Sequence, residues 1–246
     1  MRRMNGTRFL MLTAVVVATV AGRPSRAGVL NGDFSAGTNN WAIVFNPGNT
    51  QPPDYTVLPF DIDGPGPLGT SSVFRVGVGD DALMNIEQPV NLMAGGIYRF
   101  HADLAMTTPG NNGDGGTIAA YVGSTLLASY SFGSTTVGVN QYTNISTTFS
   151  PGTTGTQTLS IHFSRGYGYG PASTPKDYID NISLSPPLIS LNVQRAGGQV
   201  VLSWTNLAYA LQAAPAVSGT YTNVPAGSPY TNNLADPARF FRLIAN

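Results

Sequence analysis

The sequence predicts an all-β protein: a two-sheet sandwich followed by a small second β domain. Three observations carry this. Glycine (29) and proline (18) interrupt the 246 residues so often that no long helix survives. Charged residues make up only 10%, against roughly 25% in ordinary soluble domains, and this excludes a charge-laced helical bundle. Apolar side chains alternate with polar ones at period 2, in short runs bounded by Gly, Pro, Asn and Ser.

Taken in order, Phe74, Val76 and Val78 alternate with Arg75 and Gly77, and Met84 and Ile86 with Asn85 and Glu87. Tyr98, Phe100, Ala102, Leu104 and Met106 alternate with Arg99, His101 and Asp103. Further strands are expected over 118–122, 126–132, 142–149, 159–164 and 178–184, separated by turn clusters such as 109–116. One parity of each run is apolar, so Phe74, Val76, Tyr98, Phe100, Leu104, Leu159, Ile161 and Phe163 are expected to face the interior. Pro186-Pro187 cannot sit inside a sheet and marks a boundary. Beyond it, runs at 189–193, 200–204, 209–212 and 240–244 predict a small β module over residues 187–246, with the sandwich over 28–186.

The N-terminus has a different grammar. Arg2, Arg3 and Arg8 precede or open onto an apolar stretch from Phe9 to Val20, and a short polar region ends in Ser25-Arg26-Ala27. This is the order of a secretory signal peptide spanning 1–27, cut after Ala27 or alternatively after Ala21. Five of the twelve basic side chains and none of the twelve acids lie in 1–27, so residues 28–246 carry a formal charge of −5. Lys176 is the only lysine. An acidic chain without a basic patch is not expected to bind nucleic acid or an anionic membrane, and no stable membrane insertion is expected. The chain has no cysteine, so no disulfide contributes to an exported fold.

Three motifs carry a family resemblance. Leu30-Asn31-Gly32-Asp33-Phe34 is followed by Trp41, Gln88 to Leu92 is followed by Gly95-Gly96-Ile97-Tyr98-Arg99-Phe100, and Tyr178-Ile179-Asp180-Asn181-Ile182-Ser183-Leu184 closes the region. Together they resemble the galactose-binding-like jelly roll of family 4/9/22-type carbohydrate-binding modules. The resemblance implies two facing antiparallel sheets, a polysaccharide or glycan as partner, and a structural calcium. The family commonly carries Glu after the opening Phe, where this chain has Ser35, while Asp180 matches the acidic position of the closing strand. Asp180 is therefore the candidate calcium ligand, with local pairing at a strand end as the alternative. Residues 200–243 are similar to short immunoglobulin- or fibronectin-like modules of bacterial exoproteins.

The catalytic inventory is thin. Residues 28–246 hold two histidines, one glutamate, no Gly-x-Ser-x-Gly elbow and no phosphate-cradling loop, so no catalytic residue is assigned. The leading expectation is a secreted, non-catalytic carbohydrate-binding protein. A structural or adhesive exoprotein without a glycan site stands as one alternative, and a jelly-roll polysaccharide lyase built on Arg99, His101, His162 and Tyr167 or Tyr169 as another. Sugar recognition needs a ring to stack on and polar groups for the hydroxyls. The glycine-flanked Tyr167 and Tyr169 supply the rings, with Arg165, His162, His101 and Arg99 as polar partners, both imidazoles sharing one sheet face if their strands pair.

Overall fold

The computed structural model describes residues 28–45, 54–77, 83–166, 174–187, 189–234, 237 and 239–245. The expected signal peptide, including both cleavage positions, lies outside them. The described residues fall into two compact units, 28–187 with Asn206–Ala208 and Ala245 in one, and 189–205 with 209–244 in the other.

The larger unit is a jelly-roll sandwich of two five-stranded antiparallel sheets. The first runs in the order β1 (Ala42–Phe45), β4 (Leu83–Leu92), β11 (Gly155–Ser164), β7 (Thr117–Val122), β8 (Thr125–Ser131). The second runs β10 (Asn140–Phe149), β5 (Tyr98–Thr107), β12 (Lys176–Ser185), β3 (Ser71–Gly77), β2 (Asp54–Phe60). A two-stranded ribbon, β6 (Gly113–Asp114) with β9 (Ser134–Thr135), stands apart. The chain crosses repeatedly between the sheets, so strands adjacent in sequence often lie on opposite layers.

All eight residues expected to point inward are fully buried. They join Phe34, Met84, Ile86, Ile118 and Ile179 in one core between the sheets. Phe34 anchors it, its ring 5.4 Å from Phe74 and 5.8 Å from Trp41. The first and last motifs meet here: the Ile182 amide donates to the Gly32 carbonyl at 2.9 Å. A Cβ on Gly32 would run into the Ile182 carbonyl oxygen, which is the physical reason for glycine at this position. Directly after Asp180, β12 bulges against β5, with Asn181 in the left-handed region at φ 52°.

In this unit β1, β2, β6 and β9 were not expected, and in the smaller unit neither were the strands at Thr222–Asn223 and Tyr230–Asn233. β1 and β2 are edge strands with irregular exposure and no clean alternation, and β2 carries Pro59. β6 and β9 are two residues each, too short to show a period.

The smaller unit has two three-stranded sheets. One is β13 (Asn192–Ala196), β14 (Gln199–Ser203) and β17 (Tyr230–Asn233); the other is β16 (Thr222–Asn223), β15 (Tyr209–Ala214) and β18 (Phe240–Ala245). Leu191, Val200, Leu202, Trp204, Leu211 and Phe241 form its core. The Trp204 indole N–H donates to the Tyr209 carbonyl at 3.1 Å, satisfying its one polar atom. The strand expected at 189–193 begins instead at Asn192, because Ile189 and Leu191 pack into the core ahead of it.

Candidate functional site

The outward parity of the first sheet carries a compact aromatic and polar group. Register places Asn85 of β4 opposite His162 of β11, and His162 opposite Ala119 of β7. One row along, Glu87, Ser160, Tyr121 and Leu126 line up across β4, β11, β7 and β8. The Tyr121 ring leans over its strand gap to His162, centroid to centroid 4.5 Å at 37°. The Ser160 hydroxyl donates to Glu87 Oε1 at 3.0 Å, and the Asn85 amide reaches the same oxygen at 3.5 Å. Leu126, 51% exposed, extends the apolar surface beside Tyr121. Burial holds the His162 pKa below its ordinary 6.5 against the pull of Glu87, so the imidazole is neutral at neutral pH. The group offers a ring face, a neutral imidazole and a carboxylate, the mixture that binds a sugar's C–H face and hydroxyls.

The second sheet presents a different surface. Arg99 Nε donates to Ser146 Oγ at 3.3 Å, His101 Nε2 lies 3.1 Å from Asp103 Oδ1, and Asn181 donates to Asp103 Oδ2 at 2.9 Å. These groups are polar and partnered, with no ring stacked among them. His101 and His162 do not share a face. β5 pairs with β10 and β12, whereas β11 pairs with β4 and β7, so the two outward imidazoles lie on opposite layers of the sandwich. Alternation fixes which way a side chain points from its own sheet, and says nothing of which sheet the strand joins.

Arg165 is also corrected. Its guanidinium is fully buried, 2.7 Å from the equally buried Asp177 carboxylate. It further donates to the carbonyls of Asp114 (2.8 Å) and Gly115 (3.3 Å). The Asp114 carboxylate in turn accepts from the amides of Gly116 and Gly166, both at 2.9 Å. Arg165 thus closes one end of the sandwich and is withdrawn from any glycan. Tyr167 and Tyr169 lie outside the described residues. Tyr121 was overlooked: its run reads as a core strand, and only the pairing with β11 sets its ring beside His162.

Asp180 is buried on the second sheet. Its Oδ2 accepts from Ser71 Oγ at 2.6 Å, and its Oδ1 is buried without a partner. Burial raises its pKa to about 6, helped by repulsion from Asp33 and Asp103. An orphaned carboxylate oxygen in a negative field fits a cation ligand. Ser35 does not replace the family's Glu, since its hydroxyl is turned to Asp33 Oδ1 at 3.0 Å. Among the described residues no three acidic or histidine side chains converge, so an ion at Asp180 would take its other ligands from hydroxyl and backbone oxygens.

No protein-family model and no curated protein matches the chain. Solved structures similar to it include a family 61 carbohydrate-binding module in complex with β-1,4-galactotriose, at 15% identity and TM-score 0.42, covering 66% of this chain and 99% of that one. A family 16 carbohydrate-binding module is 21% identical at TM-score 0.38 (63% and 96% covered). An adhesin domain of Lys-gingipain from Porphyromonas gingivalis is 11% identical at TM-score 0.42 (63% and 96% covered). These are distant likenesses.

Proposed function

We propose that the chain is an exported, non-catalytic glycan-binding protein whose sugar lies on the outer face of the β4–β11–β7 layer. One observation carries the reading: the Tyr121 ring tilted against His162, with Glu87 and Ser160 in register beside them on an outward sheet face. A pyranose stacks on an aromatic ring through its C–H face, and the adjacent imidazole, carboxylate and hydroxyl meet its hydroxyls. The lyase reading loses its grouping, because Arg99 and His101 stand on one layer and His162 on the other. No lysine or arginine occurs in β1, β4, β7, β8 or β11 to neutralise a uronate carboxylate. Export rests on the pattern of residues 1–27. A calcium ion held by Asp180 Oδ1 belongs to this reading as a structural element, neutralising the buried carboxylate.

The test is a glycan array probed with residues 28–246, followed by affinity electrophoresis in a gel containing the polysaccharide found. Retardation that Tyr121→Ala abolishes supports the reading. Retardation unchanged by Tyr121→Ala refutes this face, and a rise in ultraviolet absorbance from unsaturated uronate refutes the non-catalytic assignment.

A further inference from the structure

The charge on this same face narrows the ligand. Across β1, β4, β7, β8 and β11 the only acidic or basic side chains are Glu87 and His162. The cations of the sandwich are engaged elsewhere: Arg75 and Lys176 with Asp54, Arg165 with Asp177, and Arg99 on the opposite layer. Among the described residues Glu87 has no ion pair, and both of its hydrogen bonds, from Ser160 and Asn85, fall on Oε1. It is a half-buried carboxylate whose charge is answered only by neutral donors.

Such a group discriminates among sugars. A uronate or sulfate would bring a second negative charge to a face without a cation, and is repelled. A neutral sugar would hydrogen-bond to Glu87 and leave its charge unbalanced. An ammonium would form a charge-assisted bond to the open Oε2 while the sugar ring that carries it reaches toward Tyr121. The spacing suits this: Glu87 and Tyr121 flank Ser160 across two strand gaps, about 10 Å, the span of a pyranose with its substituents.

We infer that this face selects glycans bearing free primary amines, hexosamine polymers of the deacetylated-chitin type, over neutral and acidic glycans. The inference rests on the reading of this face as the glycan site. It is tested with residues 28–246 by calorimetric titration at pH 6 against three hexamers: glucosamine, N-acetylglucosamine and glucose. The glucosamine hexamer is expected to bind roughly tenfold more tightly than either of the others, and Glu87→Gln to bring its affinity level with theirs. Asp63→Asn, an equal change of charge at an exposed position away from the face, is expected to change nothing. An amine preference absent from the wild type, or retained in Glu87→Gln, overturns the inference. Equal losses in Glu87→Gln and Asp63→Asn also overturn it, since they show attraction of a polycation to an acidic protein and no selection. Neutral hexamers that bind through Tyr121 without any amine preference leave the face standing and remove only the inference. Binding of every hexamer unaffected by Tyr121→Ala removes the face itself.

Discussion

Removing the Asp177 carboxylate strands a guanidinium. In Asp177→Ala, Arg165 keeps its bonds to the Asp114 and Gly115 carbonyls but loses its ion-pair partner at a fully buried position. Breaking a buried pair by deleting one partner costs about 3–5 kcal/mol. For a chain of this size that is about 12 °C in Tm, at roughly 2–4 °C per kcal/mol. Urea unfolding followed by Trp41 fluorescence in a Trp204→Phe background reads the sandwich alone, since Trp41 belongs to its core. The double variant Arg165→Met/Asp177→Leu is expected to recover most of the loss, less what the two carbonyls forfeit. The pH dependence has a definite sign. Burial pushes Asp177 from 3.8 up to about 7 against the pull of Arg165, so ionising it costs the fold as pH rises from about 4 to 7. Stability therefore declines through that window in the wild type and is flatter in Asp177→Asn. A loss under about 1 kcal/mol in Asp177→Ala, or a double variant no better than the single, would refute this account of the pair.

Phe100→Ala is expected to cost about 3–5 kcal/mol by opening a cavity in a fully buried site, read as a lowered urea midpoint at unchanged m. Gly32→Ala sets a methyl against the Ile182 carbonyl and breaks the closure between the first and last motifs, with an expected loss of at least about 1–3 kcal/mol in the same assay. If calcium binds Asp180, a chelator lowers Tm at pH 7.5 in the wild type and not in Asp180→Ala. The effect fades by pH 5, below the raised pKa of about 6, where the carboxyl is protonated; equal Tm with and without chelator at pH 7.5 rejects the ion.

The interior of the sandwich was legible because alternation is a local property. Phe100 and Ile161 had to be buried once their strands formed, whatever the strands paired with. Pairing is a long-range property, and there the sequence misled. His101 and His162 look equivalent by parity, yet Thr107 through Tyr98 runs along β10 and β12 while Ser164 through Leu159 runs along β4 and β7. Arg165 was misread for a related reason. A glycine-rich neighbourhood suggests exposure, but its counter-ion, Asp177, opens a strand of the opposite sheet. Tyr121 carried no local signal at all. Its neighbours Ile118, Ala120 and Val122 mark a core strand, and its significance lies entirely in the ring of His162 forty-one positions later.

The two layers can be set against each other in one measurement. Affinity electrophoresis on the glycan that binds residues 28–246 compares Tyr121→Ala/His162→Ala with Arg99→Ala/His101→Ala, each checked for an unchanged Tm. The site on the β4–β11–β7 face predicts loss of retardation in the first pair and wild-type retardation in the second. Loss in the second pair with retention in the first would contradict it and move the site to the opposite layer.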